Sequence, residues 1–446
     1  MIPPFFDIIG IYNFARNPVV FISALKHLNK RIGKEVSALL PALSHRNFRY
    51  FWFGQCISLI GTWMQNAGQS WIVLQITNSA FLLGILNAAQ FLPTLLFSIF
   101  AGVIIDRFPK RKVVIVTQVL LMACAFMLAA LIWTGNAKYP YILIIASVLG
   151  MAQAFDMPAR QSMMVELVGK DDLMNAIALN SAIFNGARII GPAISGIVMA
   201  ALGAGAAFFV NGLSFIAVIF GLYKIDAANE PVHRAAGKGV ISEAAAGIKY
   251  IAKTPVLYIT LVLSVILCIF SQNFNTLIPA LAKNVLMQKE LGYGFLMSSM
   301  GVGALIGAVT LAVRSKGTPK YSKILIGGGI MALFVLLTGL QNNYILSSAL
   351  LMAAGWGMVT FNASANSTVQ VNSPDEMRGR IMSAYALTTG GMVPLGSLYA
   401  GYTAQRFGSS FAFRLSGIIG LAGTALTSLY YCKITHSRKI EPQKPQ

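Results

Sequence analysis

The chain has 446 residues, of which 56% are hydrophobic and only 11% are charged, and its net charge is +20. A soluble domain carries about 25% charged residues, so this composition excludes an ordinary soluble protein and indicates a chain embedded in a membrane. A membrane-spanning helix needs about 20 residues, so the length accommodates two bundles of six helices and no large soluble domain.

Residues 1–45 form an amino-terminal segment with an amphipathic pattern from Pro18 onward. Apolar residues recur in steps of three and four, at Phe21, Leu25, Leu28, Ile32 and Val36. The other side is polar and basic, with Ser23, Lys26, Asn29, Lys30 and Lys34. The pattern predicts a cytoplasmic helix whose basic face binds membrane lipid, with a regulatory role as the alternative. The run 5–14 contains Asp7 and precedes the basic cluster, so it is not a cleavable signal.

Twelve apolar segments follow, each about long enough for a helix to cross the roughly 30 Å hydrocarbon layer. The amino-terminal bundle, residues 46–224, contains predicted spans at 51–76, 81–105, 113–133, 139–155, 176–201 and 206–223. A cytoplasmic linker at 225–253 separates it from the carboxy-terminal bundle, residues 254–434, with spans at 256–282, 295–313, 324–340, 344–371, 381–404 and 415–432. Residues 435–446 form a cytoplasmic tail. The fold class predicted is an all-α membrane protein with twelve transmembrane helices.

The basic residues give the orientation, since cytoplasmic loops retain Lys and Arg. Of the 34 basic residues, 28 fall on the side of the two termini and 5 on the other side. Both termini are therefore expected in the cytoplasm, and the protein in the inner membrane of a bacterium. Topology and anionic lipid explain the net charge, so no nucleic-acid partner is expected.

Several predicted spans carry polar residues at helical spacing. In span one they are Gln55, Ser58, Thr62, Gln65 and Gln69, and the other predicted spans add Asn87, Gln90, Ser271, Asn275, Asn362 and Asn366. Unpaired amides in hydrocarbon are costly, so such faces line either a substrate path or contacts between helices. We interpret them as a substrate cavity, with hydrogen bonds between helices as the alternative.

Arg188 is the remaining basic residue, and it lies near the middle of span five. A charge at this depth is expensive and marks a functional site by default. Two roles remain open from the sequence: Arg188 binds an anionic group of the substrate, or it pairs with Asp156. Asp156 is the only carboxylate plausibly within a span, and it lies near the inner surface, so no coupling residue is visible.

The two halves contain similar segments, which indicates an internal repeat. GKDDLMN at 169–175 precedes span five, and SPDEMRG at 373–379 precedes span eleven. Each leads into a helix with small residues and a proline, Pro192 or Pro394. Parallel six-helix repeats are typical of a transporter whose substrate site lies between the halves near mid-membrane.

The loop between spans two and three carries a family signature. Its residues GVIIDRFPKRK at 102–112 resemble the G-x-x-x-D-R-x-G-R-[RK] motif of the major facilitator superfamily, with Pro109 in place of the later glycine. The resemblance implies the major facilitator fold and a conformational latch formed by Gly102, Asp106, Arg107 and Arg111. A solvated loop charge is the alternative for Asp106.

Span five carries a second match. GARIIGPAISG at 186–196 resembles the G-P-x-x-G-G motif of exporters in this superfamily, with Ser-Gly as the last pair. Its residues are Gly186, Gly191, Pro192 and Gly196, and ordinary small-residue packing is the alternative. This stretch resembles the branch that contains enterobactin-type siderophore exporters and macrolide efflux pumps.

The resemblance implies a secondary active transporter, a proton-coupled monomer that exports a small amphiphilic molecule by alternating access. An importer or a lysophospholipid or lipid flippase of the same fold is the alternative, and a membrane-embedded enzyme or a scaffold is a more remote one. An enzyme is not expected, because all four histidines lie outside the spans and no catalytic groups converge. No cofactor and no metal site is predicted, and the four cysteines have no metal-binding spacing.

Overall fold

The structure is a computed structural model that describes residues 40–225, 240–314, 321–374 and 376–440. The amphipathic helix predicted before residue 40 lies outside these residues. A short 3-10 turn at Pro41–Ser44 precedes the α-helices. The helices are α1 Arg46–Thr77, α2 Ala80–Arg107, α3 Lys110–Trp133, α4 Tyr139–Val168, α5 Leu173–Leu202, α6 Ala204–Tyr223, α7 Val240–Lys253, α8 Pro255–Phe270, α9 Phe274–Asn284, α10 Glu290–Arg314, α11 Tyr321–Thr338, α12 Tyr344–Val371, α13 Arg378–Thr389, α14 Val393–Phe407 and α15 Ser409–Ile440.

Within the described ranges the chain is helical and contains no strand, which confirms the all-α membrane fold class. Ten segments are long and apolar enough to cross a membrane by length and composition, and α8 with α9 counts as one of them. The ten leave out α1, which has 32 residues but carries the polar face of span one, and the short pair α13 and α14. The count of twelve spans therefore remains a prediction.

Two of the predicted spans are broken helices. The sequence predicts one helix over 256–282, but the structure has α8 ending at Phe270 and α9 beginning at Phe274. Span eleven is divided in the same way between Thr389 and Val393. Pro394 fits the first turn of α14, because the backbone N–H that proline lacks has no helical partner there.

The two halves meet along two helix pairs, α5 with α10 and α2 with α14. Glycines make the close approach possible. A Cβ on Gly84 of α2 would lie 2.4 Å from the carbonyl oxygen of Ser397 in α14. A Cβ on Gly294 of α10 would lie 2.5 Å from the carbonyl oxygen of Pro192 in α5.

The last helix of each half follows the same kind of turn. Gly203 connects α5 to α6 with a φ of 81°, and Gly408 connects α14 to α15 with a φ of 87°. A side chain is strained at this φ, which is the reason for glycine at both turns. The shared turn agrees with the internal repeat that the sequence indicates.

Candidate functional site

Contacts between the halves are concentrated where α1 ends and α2 begins, a region we call the Asn78 end. Asn78 has a left-handed backbone conformation, and its Oδ1 accepts a hydrogen bond of 2.6 Å from Nζ of Lys283. Lys283 also donates to the carbonyl oxygen of Leu74 over 2.9 Å. One lysine of the second half therefore satisfies the last turn of a helix in the first half.

Glu290, at the start of α10, makes a second polar contact at the Asn78 end. Its Oε1 accepts hydrogen bonds from Nε1 of Trp71 over 3.2 Å and from Nε2 of Gln75 over 2.6 Å. Trp71 also stacks on Tyr293, with ring centroids 5.0 Å apart. These rings are buried and close the space between the halves at this end.

Further hydrogen bonds join the halves at mid-depth. The Nδ2 of Asn87 donates to Oγ1 of Thr276 over 3.0 Å, which ties α2 to α9. The hydroxyl of Ser298 donates to the carbonyl oxygen of Ile189 over 2.6 Å, which ties α10 to α5. The joined surface thus extends from the Asn78 end to the middle of the molecule.

A cavity of about 80 Å³ lies where the two broken helices meet α2. Its lining includes Asn87 of α2, Gln272 and Asn273 in the break between α8 and α9, Asn275 and Thr276 of α9, and Ser397 of α14. Asn87 and Asn275, both expected to line the cavity, are brought together here. We call this space the break cavity.

The polar face of α1 has mixed surroundings. Gln55 accepts a hydrogen bond from Arg160 of α4, and Gln65 accepts one of 2.7 Å from Nδ2 of Asn211 in α6. Both contacts lie inside the first half. They are hydrogen bonds between helices, which is the alternative to lining a substrate cavity. Gln69 is 2% exposed, and neither amide atom has a partner among the described residues.

Two further positions on this face lie beside these glutamines. Ser58 is buried, and its carbonyl oxygen accepts a hydrogen bond of 2.9 Å from the hydroxyl of Thr62, which is half-buried. This bond lies within α1. It satisfies the Thr62 hydroxyl without a second helix.

The remaining amides of the predicted cavity pair with other amide side chains. Gln90 donates to Oδ1 of Asn66 over 3.2 Å, and Asn366 accepts from Gln370 one turn along α12. Asn362 exchanges hydrogen bonds of 3.3 and 3.4 Å with Gln272, which connects α12 to the break cavity.

Ser271 is buried at the end of α8. It donates to the carbonyl oxygen of Ser416 in α15 over 3.0 Å. Both of these residues belong to the second half. The structure therefore gives Ser271 a packing contact between two helices of one bundle.

Arg188 lies on the inner side of α5. Ile190 and Ile197 are 45% and 48% exposed and mark the outer side of this helix. Successive residues turn by about 100°, which puts Arg188 about 160° from Ile190. Arg188 donates to Oδ1 of Asn185 over 3.0 Å, and its Nε is buried without a partner among the described residues.

Asp156 is fully buried and pairs with Arg160, one turn further along α4. Its Oδ1 also accepts hydrogen bonds from Thr117 over 2.8 Å and from Gln118 over 2.9 Å. The alternative in which Arg188 pairs with Asp156 is therefore wrong, because Arg160 occupies that position. The spacing of four residues between Asp156 and Arg160 was the signal in the sequence that could have identified this pair.

The described part of the predicted latch is bound to the first half. Arg111 donates to the carbonyl oxygen of Tyr223, at the end of α6, over 2.9 Å. Lys110 pairs with Glu166 near the end of α4, and Arg107 is exposed. Gly102 and Asp106 belong to α2, in a stretch whose side chains lie outside the described part.

The glycines of the helix-five motif have different neighbours. A Cβ on Gly191 would lie 2.5 Å from Cβ of Trp63 in α1, and one on Gly196 would lie 2.8 Å from the carbonyl oxygen of Glu290 in α10. A Cβ on Gly186 would have nothing within 4 Å. Gly191 and Gly196, with the buried Pro192 between them, thus pack α5 against both halves.

The described side chains form no group of three or more His, Cys, Asp or Glu that could hold a metal ion. The absence of a metal and of a cofactor stays a prediction. The polar groups of the break cavity are uncharged amides and hydroxyls. With the thiol of Cys268, which also lines the cavity, they are suited to hydrogen bonding with a substrate.

Comparison with known proteins gives a family and several relatives. The profile of the family described as transmembrane secretion effector matches residues 36–445. The staphyloferrin A transporter of Staphylococcus aureus is 28% identical over 86% of this chain and 95% of that protein. The multidrug efflux pump Tap of Mycolicibacterium fortuitum is 26% identical over 77% of this chain and 85% of that protein.

Solved structures share the fold at low sequence identity. A bacterial homologue of the human lysosomal transporter Spinster, inward-facing and unoccupied, aligns with a TM-score of 0.69 at 11% identity. The alignment covers 91% of this chain and 99% of that one. At this identity the similarity establishes the fold alone.

Proposed function

Because the chain belongs to the transmembrane secretion effector family of the major facilitator superfamily, and is thus a multi-pass membrane transporter of small molecules, we propose that it is a proton-coupled exporter in the inner membrane of a bacterium. It moves a small amphiphilic molecule outward by alternating access, as a monomer. The relatives named above as a siderophore transporter and a multidrug efflux pump support a siderophore-like or drug-like substrate.

The observation that carries this proposal is the polar space enclosed between two halves that are joined at one end. Lys283 and Glu290 hold the halves together at the Asn78 end, and the break cavity lies below this closure. With both termini in the cytoplasm, the Asn78 end faces outward and the structure corresponds to an inward-facing state. Substrate then enters from the cytoplasm and leaves when the Asn78 end opens.

Orientation is tested by single cysteines at two exposed positions, Asn136 and Lys170, in a chain whose native cysteines are replaced. Asn136 lies between α3 and α4, and Lys170 lies between α4 and α5, at the opposite end of the molecule. An impermeant thiol reagent added to intact cells should label Asn136→Cys and not Lys170→Cys. The reverse pattern would reject the cytoplasmic termini.

The proposed proton coupling assigns a role to Asp156. It is the one buried carboxylate among the described side chains, and Arg160 neutralises it. Arg160 already donates to Gln55, so neutralisation of Asp156 by a proton would leave Arg160 free to strengthen that contact or to bind the substrate. This exchange would connect protonation to a rearrangement of α1 against α4.

Export is tested in membrane vesicles from an efflux-deficient bacterial host that carries the protein, with ethidium and a macrolide as probes. We expect transport that a proton ionophore abolishes. Asp156→Asn should abolish accumulation against a gradient while exchange of substrate continues. Asp171→Asn, at an exposed carboxylate in the turn after α4, serves as the matched control and should transport normally. Uphill export by Asp156→Asn at the normal rate would remove Asp156 from the coupling mechanism.

The latch remains a proposal as well. Asp106, Arg107 and Arg111 would hold the cytoplasmic side closed when the cavity opens outward. Asp106→Asn should slow transport without loss of membrane insertion.

A further inference from the structure

The break cavity differs from the other polar regions of the interior because two helices begin at it. Asn273 and Met392 are the residues that precede α9 and α14, and neither helix has a hydrogen bond from a capping side chain. Asn273 and Val393, which stand where these two helices begin, both line the cavity. The first backbone N–H groups of a helix have no partner within it, and the helix dipole gives this end a partial positive charge. At α14 the N–H of Val393 donates to the carbonyl oxygen of Gly390 and Pro394 has no N–H, so this end contributes mainly its dipole.

A buried side chain at the cavity lacks a partner. Ser397 of α14 is 4% exposed and lines the cavity, and its hydroxyl makes no hydrogen bond with any described residue. Asn275 of α9 also lines the cavity, and no described group bonds to its amide. A buried polar group usually has a partner, so the unpaired hydroxyl of Ser397 indicates that a ligand atom completes the site, and the exposed Asn275 offers a second free amide beside it.

Asn273 could have capped α9, but its side chain turns away. Its Nδ2 donates to the carbonyl oxygen of Ile269 over 2.6 Å, in the preceding helix. The backbone N–H groups of Phe274 and Asn275 therefore stay available to a ligand, whereas those of Thr276 and Leu277 donate to the carbonyl oxygen of Asn273. This bond also stabilises the break between the two helices.

The charge and size of the cavity limit what it can hold. None of its lining residues carries a carboxylate or a cationic side chain, and the thiol of Cys268 donates to the carbonyl oxygen of Thr389. No negative charge of the lining therefore opposes an anion. A volume of about 80 Å³ is below the roughly 300–1,000 Å³ of a complete ligand pocket, so one polar head group fits and a whole substrate does not.

We infer that the break cavity binds an anionic oxygen group of the substrate, a carboxylate or a phosphate, between the amino-terminal ends of α9 and α14. The inference rests on the proposed function in that it names the chemistry of the exported molecule. Asn275 and Ser397 donate to the oxygens, and the two helix ends supply the positive potential. The rest of the substrate lies outside this cavity, in the space between the halves.

The test uses purified full-length protein in detergent, with the four native cysteines replaced and one cysteine introduced at Ser397 or at Asn275. Two methanethiosulfonate reagents of similar size, one with a sulfonate and one with a trimethylammonium group, report the local potential as the ratio of their reaction rates. Thr62→Cys is the matched control, because Thr62 is half-buried in the middle of α1 and far from both ends of that helix. We expect the ratio of anionic to cationic rates to be about tenfold higher at both cavity cysteines than at the control.

A second measurement identifies the ligand group. Hexanoate and hexyl phosphate should slow the labelling of Ser397→Cys, whereas hexanamide and hexanol at equal concentration should protect less. Stronger protection by one of the two anions assigns the site to a carboxylate or to a phosphate. Equal protection by the amide and by both anions, or a rate ratio equal to that of Thr62→Cys, would overturn the inference.

Replacement of the buried Ser397 could disturb folding, so the test does not depend on Ser397→Cys alone. Asn275 is exposed, and Asn275→Cys is not expected to disturb folding. Both measurements are made without transport. A protein that fails to export ethidium can therefore still give the expected labelling pattern, and an active exporter can fail to give it. The two proposals are in this way separated.

Discussion

At the scale of single residues, the hydrogen-bond partner decides what a polar side chain inside the membrane does. Gln65 and Asn87 look alike in sequence, since each is an amide on a helical polar face. Gln65 bonds to Asn211 within the first half, whereas Asn87 bonds to Thr276 across the two halves. An amide bonded within one half stabilises that bundle, and an amide bonded across the halves changes its surroundings when they move.

Arg188 gives the prediction at this scale. It lies on the inner side of α5 and its Nε has no partner among the described residues, so we expect it to bind a polar or anionic part of the substrate. Arg188→Gln should reduce export of an anionic substrate by about tenfold or more, the value of a charge-assisted hydrogen bond. Arg188→Lys should reduce it less, because the charge stays while the planar fork is lost. Initial export rates from vesicles measure both effects.

The control for this prediction is Arg414→Gln. Arg414 is exposed near the start of α15 and donates only to the carbonyl oxygen of Ser410 in its own helix. The Arg414→Gln variant should export the same substrates at the normal rate. Normal export of every tested compound by both Arg188 variants would leave Arg188 with a packing role only.

At the scale of helices, close packing joins the two halves, whereas interruption of a helix exposes its backbone polar groups. The α5 and α10 helices are continuous where they cross, and glycines bring their backbones together. The α8–α9 and α13–α14 pairs are interrupted, which exposes backbone groups at mid-membrane depth. Such groups are tolerated only where they line a polar space or are buried in protein. The breaks in both helix pairs therefore lie beside the break cavity.

Gly196→Ala is the prediction for the crossing helices. Its Cβ would lie 2.8 Å from the carbonyl oxygen of Glu290, too close for an ordinary contact, so α5 and α10 must separate at the Asn78 end. We expect a loss of about 1–3 kcal/mol in stability, a lower melting temperature in detergent and slower export. Gly186→Ala adds the same methyl group to the same helix with nothing within 4 Å, and it should leave both properties unchanged. Identical behaviour of the two variants would contradict this role of Gly196.

At the scale of the whole molecule, the closure at the Asn78 end holds together halves whose interior is polar. Lys283 bonds to the end of α1, Glu290 bonds to Trp71 and Gln75, and the amide of Gln405 accepts a hydrogen bond of 2.8 Å from the backbone N–H of Ala80. These contacts are individually modest and exposed to competition from water. A closure of this kind can open during a transport cycle, which a large apolar interface would resist.

Cross-linking tests this closure. With the native cysteines replaced, Asn78→Cys and Lys283→Cys should be joined by a two-carbon bismethanethiosulfonate, because the side chains at these positions are in contact. The tether should abolish export, and cleavage of its disulfides by a reductant should restore it. Treatment with the same reagent should leave the export rate of each single-cysteine variant unchanged. Full export by completely cross-linked protein would show that this end does not open during transport.

The sequence by itself determined the membrane location, the helical class and the superfamily of this protein. Length and hydrophobicity set the number of apolar segments, because a helix that satisfies its own backbone is almost the only way to cross a bilayer. The motif at 102–112 and the glycines of span five then identified the family. These features are local in the chain, so no knowledge of packing is needed to recognise them.

The tertiary structure decided which polar residues meet. Helical spacing placed Asn87 and Asn275 on faces of separate spans, but only the packing of α2 against α9 and α14 put both at one cavity. The break at 271–273 lay inside a segment that is apolar enough to continue as one helix. Arg188 was the partner that the sequence suggested for Asp156, whereas in the structure Asp156 pairs with Arg160. Hydrophobic burial along a span is set by composition, whereas a hydrogen bond between helices depends on distances of about 3 Å that only the assembled bundle fixes.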